Sequence, residues 1–178
     1  GFGYGPDKSL PPVNRTSHGI TLSISGFVDR VDGWRNEKDG RLYLRVVDYK
    51  TGRKSFDLTE VWNGLGLQLL LYLFTLEREG SPLFGEQPVP AGVLYLPARE
   101  AVLKGSRTMD EAARQKELDK ELLRKGLILE DADVVEAMEH GEGSLRFLPV
   151  KVKTKKDETS ISGDALVSAE KLGRLDLH

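Results

Sequence analysis

Asp29, Asp48 and Lys50 are the residues of this sequence whose types and spacing suit chemistry. Asp29 lies in Gly26-Phe27-Val28-Asp29-Arg30-Val31-Asp32, and the other two lie in Arg45-Val46-Val47-Asp48-Tyr49-Lys50-Thr51-Gly52. Breaking a phosphodiester takes divalent cations on hard oxygen ligands, an activated water and a positive group near the charge that develops. Two carboxylates and a lysine supply that set. They also fit ordinary exposed ion pairs at strand ends, each worth less than about 1 kcal/mol, and residue types alone leave both accounts standing.

The elements that must position these residues follow from periodicity. Leu42, Leu44, Val46, Asp48 and Lys50 share one face of a strand, so an apolar stripe ends in a carboxylate and an ammonium. Ile20, Leu22, Ile24 and Val28 alternate likewise, and Gly33, Asn36, Asp39 and Gly40 carry turn chemistry, which predicts a long hairpin. Pairing brings Asp29 near Asp48. Two carboxylates that close repel unless a proton or a cation lies between them.

Further along, Asp57 with Glu60 three positions on predicts a helix start, and Gly80-Ser81-Pro82 its end after Glu79. Gln68 and Tyr72 fall on one face of that helix, among Leu65, Leu67, Leu69, Leu70, Leu71, Leu73 and Leu76. The plainer account is a buried Gln satisfied by backbone groups and a Tyr whose hydroxyl reaches the rim. Ala91 to Leu96 reads as an interior strand halted by Pro97. A parallel crossover over the Leu-rich helix then predicts an α/β domain, a mixed sheet flanked by helices. Asp110 to Lys125 is a charged amphipathic helix with Ala112, Leu118, Leu122 and Leu123 inward, and Asp131 to Glu139 a short helix. Leu148, Val150 and Val152 alternate with Lys151, Lys153 and Lys155 as an edge strand, turning at Lys156-Asp157-Glu158 into a return strand at Ile161. Asp164 to Arg174 closes as a helix capped by Asp164 or Ser162.

The 178 residues, 39% hydrophobic, suffice for one well-buried core, expected over residues 19–178 behind a flexible segment 1–18. No apolar run is long enough to span a bilayer, so no membrane is expected as a partner. The absence of cysteine removes disulfides and zinc ribbons, and it fits a reducing, cytoplasmic setting. The net charge of -2 is not that of a general nucleic-acid binder, but it is unevenly spread. Residues 15–54 hold nine Lys and Arg against five Asp and Glu, whereas 110–145 hold five against eleven. Arg41, Arg45, Arg53 and Lys54 are therefore candidates for phosphate contacts beside the metal site, with solvated surface charge the equal alternative. Gly1-Phe-Gly-Tyr-Gly lacks the flanking strand and helix of a dinucleotide fold, no phosphate-binding Lys-Ser or Lys-Thr loop occurs, and His18, His140 and His178 form no ligand pattern.

Taken in order, Gly-x-x-Asp-Arg-Val-Asp, Asp-Tyr-Lys-Thr-Gly and Gln68-Leu-Leu-Leu-Tyr72 resemble the signature of the RecB-like branch of the PD-(D/E)XK nucleases. The runs Asp57 to Val61, Gly64 to Leu69 and Lys125 to Leu129 are similar to the carboxy-terminal nuclease domain of the AddB-type subunit of bacterial helicase-nucleases. The resemblance implies a restriction-endonuclease-like fold and a metal-dependent DNase acting on a single strand delivered by an AddA-type helicase subunit, in double-strand-break repair and recombination. It implies Mg²⁺, with Mn²⁺ as substitute, on Asp29, Asp48 and the main-chain carbonyl of Tyr49. Lys50 would orient the attacking water and stabilise the transition state, while Gln68, Tyr72, Arg30 and Arg53 would contact the DNA. The family also brings an acid or histidine from an upstream helix and four cysteines around an iron-sulfur cluster. This sequence has neither, and truncation at both ends is the expected reason. The alternatives are a catalytically silent DNA-binding or scaffolding module and a stand-alone exonuclease of the Cas4 type.

Overall fold

The computed structural model describes residues 1–3, 10–51, 67–98, 110–156 and 158–175. In chain order its elements are β1 (Val13–Ser17), β2 (Ile20–Ile24), β3 (Arg30–Arg35), β4 (Leu42–Lys50), α1 (Gln68–Glu79), α2 (Ser81–Phe84), β5 (Val89–Pro97) and α3 (Glu111–Leu122). They continue with β6 (Lys125–Leu129), α4 (Ala132–Met138), β7 (Gly143–Ser144), β8 (Lys151–Lys155), β9 (Glu158–Ser162), β10 (Leu166–Val167) and α5 (Ala169–Arg174). Five strands form the central sheet in the order β10-β6-β5-β4-β3. It is mixed: β4 and β5 run parallel, as do β6 and β10, while β3/β4 and β5/β6 are antiparallel.

The expected parallel crossover is present, with α1 between β4 and β5 in sequence and packed against both. Leu69, Leu70, Tyr72, Leu73, Phe74, Thr75 and Leu76 are all buried, so α1 is enclosed on more than one side. Its apolar surface meets Leu44, Val46, Val93 and Tyr95 in the larger core cluster. Each such buried Leu contributes roughly 1.5–3 kcal/mol over an exposed one. A second cluster joins Leu94 and Ile128 to Val135 of α4 and to Leu148 and Val150. Leu67 before α1 has helical dihedrals and no capping side chain, and the expected start at Asp57 and Glu60 lies outside the described residues. Among the described residues no helix is long and apolar enough to cross a membrane.

Several elements differ from expectation. The alternating run Ile20 to Val28 does not extend the β3/β4 hairpin: β2 pairs instead with β1 in a sheet of its own, leaving Ile20 74% and Leu22 58% exposed. The expected boundary at residue 18 thus falls in the turn between β1 and β2, and Phe2, inside the segment expected to be flexible, is 1% exposed in the core. In α3 Asp110 caps the Ala113 amide at 2.7 Å, but Ala112 is exposed and no residue of the helix is buried. The chain leaves the helix after Leu122, and Lys125 opens β6, a buried strand whose short Leu-Ile-Leu run has no alternation to betray it. β8 is the middle rather than the edge of a three-stranded sheet with β7 and β9. Finally, Asp164 to Arg174 is not one helix, since Leu166–Val167 pairs with β6 and only Ala169–Arg174 is helical, capped by Ser168. Two apolar residues docked on a sheet outweigh the helical pattern around them.

Candidate active site

Positions Asp29, Asp48 and Lys50 converge at one end of the β3/β4 hairpin. One step beyond the paired Arg30 and Val47, the register sets Asp29 opposite Asp48, and Asp29 Oδ2 stands 3.5 Å from the Tyr49 amide nitrogen. Asp48 and Lys50 follow Leu44 and Val46 on the face that packs beneath α1, where the core stripe of β4 runs out. The carboxylate ends that stripe with its side chain only 13% exposed, and Lys50 Nζ forms a close ion pair with its Oδ2. That contact holds the ammonium above the ordinary lysine value, against partial burial, which pulls it down. Lys50 Nζ also lies 5.3 Å from the ring centre of Tyr95, the β5 residue paired with Asp48. Burial pushes the Tyr95 phenol up, so it stays protonated beside the cation.

Apart from that ammonium, Asp48 Oδ2 is buried without a hydrogen-bond donor. A carboxylate oxygen met by a single ammonium keeps lone-pair capacity for a further ligand. The donors on hand are the Asp29 and Asp48 carboxylates and the Tyr49 carbonyl, all hard oxygens of the kind that suit Mg²⁺, which keeps several of its own waters. The residues therefore fit a divalent cation of that class. Among the described residues no group of three or more His, Cys, Asp or Glu forms a cation cage.

Gln68 and Tyr72 come together as their spacing implies, Gln68 Nε2 donating to the Tyr72 hydroxyl at 2.7 Å. Gln68 is exposed rather than buried, while Tyr72 is 7% exposed. Tyr72 also explains the glycine that opens the first motif: a Cβ on Gly26 would stand 3.0 Å from the Tyr72 hydroxyl oxygen and 3.3 Å from Phe2 Cε1. Phe2 packs edge-on against Tyr72 at 5.5 Å and exchanges backbone hydrogen bonds with Gly26. The first and third motifs are thus in contact. Gly26→Ala is expected to push the Tyr72 hydroxyl off Gln68 and to cost about 1 kcal/mol of stability. The cost should shrink in a Tyr72→Leu background, where both the hydroxyl at 3.0 Å and the ring Cε1 at 3.1 Å are gone; equal costs in both backgrounds, measured by urea unfolding, would rule this coupling out.

The arginines are placed elsewhere. Arg30 projects to the opposite face of the hairpin, where it donates to Asp32 Oδ1 at 2.6 Å and to the Tyr49 hydroxyl at 3.1 Å. These bonds raise its pKa further above the usual arginine value. Arg45 joins it on Asp32, and Arg41 lies 5.8 Å from the ring centre of Tyr43. Burial alone would push the Asp32 carboxyl up, but the two guanidiniums outweigh it and hold the carboxyl below its usual range. Neither Arg30 nor Arg45 stands beside Asp48, because neighbours along a strand face opposite ways. Arg53 and Lys54 lie outside the described residues. Tyr95 is the member of the site that sequence reading missed; its register opposite Asp48 is the signal that could have found it.

A mixed sheet with a parallel β4/β5 crossover, flanked by helices, is a restriction-endonuclease-like fold. The sequence pattern of the PD-(D/E)XK nuclease superfamily matches residues 2–146, and the chain belongs to that superfamily. Its relatives carry a more particular name. Similar proteins include the B-type subunit of the ATP-dependent helicase/deoxyribonuclease of Clostridium novyi, 38% identical over 152 residues, which are 84% of this chain and 13% of that protein. The proteins of the same name from Anoxybacillus flavithermus and Bacillus pumilus are 34% and 33% identical over 99% of this chain, and 15% of each is covered. The chain thus spans about one seventh of the length of those relatives.

Proposed function

We propose that this chain is the nuclease unit of a helicase-nuclease, hydrolysing DNA phosphodiesters with Mg²⁺, or Mn²⁺ in its place, held by Asp29, Asp48 and the Tyr49 carbonyl. The observation that carries the reading is the nearly buried Asp48 carboxylate, whose Oδ2 is met by the Lys50 ammonium and by no other donor, at the end of a strand whose other inward residues are core. A divalent cation bound there supplies Lewis-acid polarisation and lowers the pKa of coordinated water. Lys50 keeps its proton, so its part is electrostatic: Nζ donates toward the non-bridging phosphoryl oxygens or the attacking water where negative charge grows. Gln68, on the same side of the sheet, offers an exposed amide to the strand, and Tyr72 holds that amide in place. Arg53 is a further contact for the phosphate backbone.

The partner is an AddA-type helicase subunit that delivers a single strand, in double-strand-break repair and recombination. The names of the relatives support this, as does a basic run of residues that coincides with the motif half of the chain. An iron-sulfur cluster does not fit these residues, since it is held on thiolates and the sequence has no cysteine.

Cleavage of a labelled single strand by the assembled helicase-nuclease, with any partner nuclease site inactivated, is expected to stop in excess chelator and to return on adding Mg²⁺ or Mn²⁺. Cleavage that persists in chelator would sink the reading.

A further inference from the structure

Lys50 is held in the site by a partner that it must share. Its ammonium sits on a flexible stem, and the side chain is 28% exposed, so Nζ has a way out to solvent; the ion pair with Asp48 turns it inward. A divalent cation seated on that carboxylate takes the ammonium's partner, and like charges drive the two apart. Donation to a phosphoryl oxygen then needs a second hold on Nζ, one that does not itself draw the divalent cation.

The strand beside β4 provides it. β4 and β5 run parallel with Asp48 opposite Tyr95 and Lys50 opposite Pro97, so Tyr95 shares a face with both site residues. Its ring centre lies 5.3 Å from Lys50 Nζ, within reach of a cation–π contact. The ring itself is fixed. Tyr95 is buried in the larger core cluster with Val93 and the leucines of α1, and β5 is an interior strand, bonded to β4 on one side and to β6 on the other. The main chain of Lys50 is tied to the same segment, since the Ala98 amide donates to its carbonyl at 2.9 Å.

The residue type matters as much as the place. A leucine here would fill the core and offer a cation nothing, whereas a glutamate would hold the ammonium but also compete with Asp48 for the divalent cation. An aromatic face attracts the ammonium through its quadrupole and leaves the N–H donors free to turn toward an oxygen. We propose that Tyr95 is a positioning residue: its ring keeps the Lys50 ammonium in the site once a divalent cation occupies Asp48. The inference rests on the electrostatic part given to Lys50 above, and it adds the group that keeps that part in place.

Single-turnover cleavage by the assembled helicase-nuclease, with any partner nuclease site inactivated and Mg²⁺ saturating, is expected to slow about tenfold in Tyr95→Leu. Tyr95→Phe keeps the ring and is expected to recover most of that loss. In a Lys50→Ala background Tyr95→Leu should cost less than about twofold, because the group it acts through is gone. Fluorinated phenylalanines at position 95 carry the test if Tyr95→Leu unfolds. Fluorine draws charge off the ring face at nearly constant shape, so the rate should fall with each atom added, whereas a packing role is blind to it. The proposal is overturned if Tyr95→Phe is as slow as Tyr95→Leu, if fluorination leaves the rate unchanged, or if Tyr95→Leu costs the same with and without Lys50. In each of those results a slow Lys50→Ala leaves the reading of Lys50 standing; a Lys50→Ala that cleaves like the parent takes both down.

Discussion

Lys50→Ala is expected to slow DNA cleavage about 10²–10³-fold, the usual effect of removing one preorganised donor from a site of developing charge. The same substitution should tighten the binding of the divalent cation. Nζ is paired with Asp48 Oδ2, so a cation held by Asp48 would compete with it for the carboxylate, and two like charges that close repel. Removing the ammonium relieves that repulsion, for a gain of about fivefold in affinity. Asp48→Ala, in contrast, should lose both cleavage and affinity, because it removes a nearly buried carboxylate proposed to hold the cation. The raised pKa of Lys50 fixes the pH behaviour. Its ion pair contributes stability below the ordinary lysine value and loses it only as pH rises through the higher folded value, so no part of the rate profile near neutrality belongs to Lys50. Single-turnover cleavage and calorimetric titration of Mg²⁺ measure the two effects. Cleavage by Lys50→Ala within tenfold of the parent, or an unaltered Mg²⁺ affinity in Asp48→Ala, defeats the assignment.

The contrast between the two variants is open to sequence reading because β4 carries its information in plain alternation. Leu42, Leu44 and Val46 announce a buried face, so Asp48 and Lys50 on that same face stand out as residues that packing does not explain. The crossover is legible for a related reason: a long Leu-rich helix followed by a short apolar strand admits few topologies. What escapes is set by contacts remote in sequence. β6 and β10 are too short to show a period, and each is a strand because a neighbour offers hydrogen bonds, Ile128 to the Ala165 carbonyl and Glu130 to that of Val167. Sequence order groups the Arg30 side chain with Asp29, although adjacency on a strand is what separates them. Gly26 reads as punctuation in the sequence, and only the packed Tyr72 ring shows why a side chain is excluded there.

Gly126 opens the run Gly-Leu-Ile-Leu, and Gly126→Ala is expected to destabilise the fold by roughly 3–5 kcal/mol, a large share of the 5–15 that holds a typical domain together. Two costs combine. Its φ of +153° lies where side chains are rarely tolerated, and a Cβ would stand 1.9 Å from the Val93 carbonyl oxygen and 3.1 Å from Leu94 Cα. Those atoms are backbone of β5, so no rotamer change relieves the clash. Gly92 makes the reciprocal approach from β5, with a Cβ position 2.4 Å from the Leu127 carbonyl oxygen. The pair thus lets β5 and β6 close, and prising them apart shifts the strand that holds Tyr95 beneath Lys50. Gly40→Ala is the control: φ is +72° there too, yet nothing lies within 4 Å, so only the conformational cost of about 1 kcal/mol remains. Urea unfolding of the two variants separates strain from steric exclusion. Equal losses for both would mean that β6 has room to move and that the close approach is not what orders this end of the sheet.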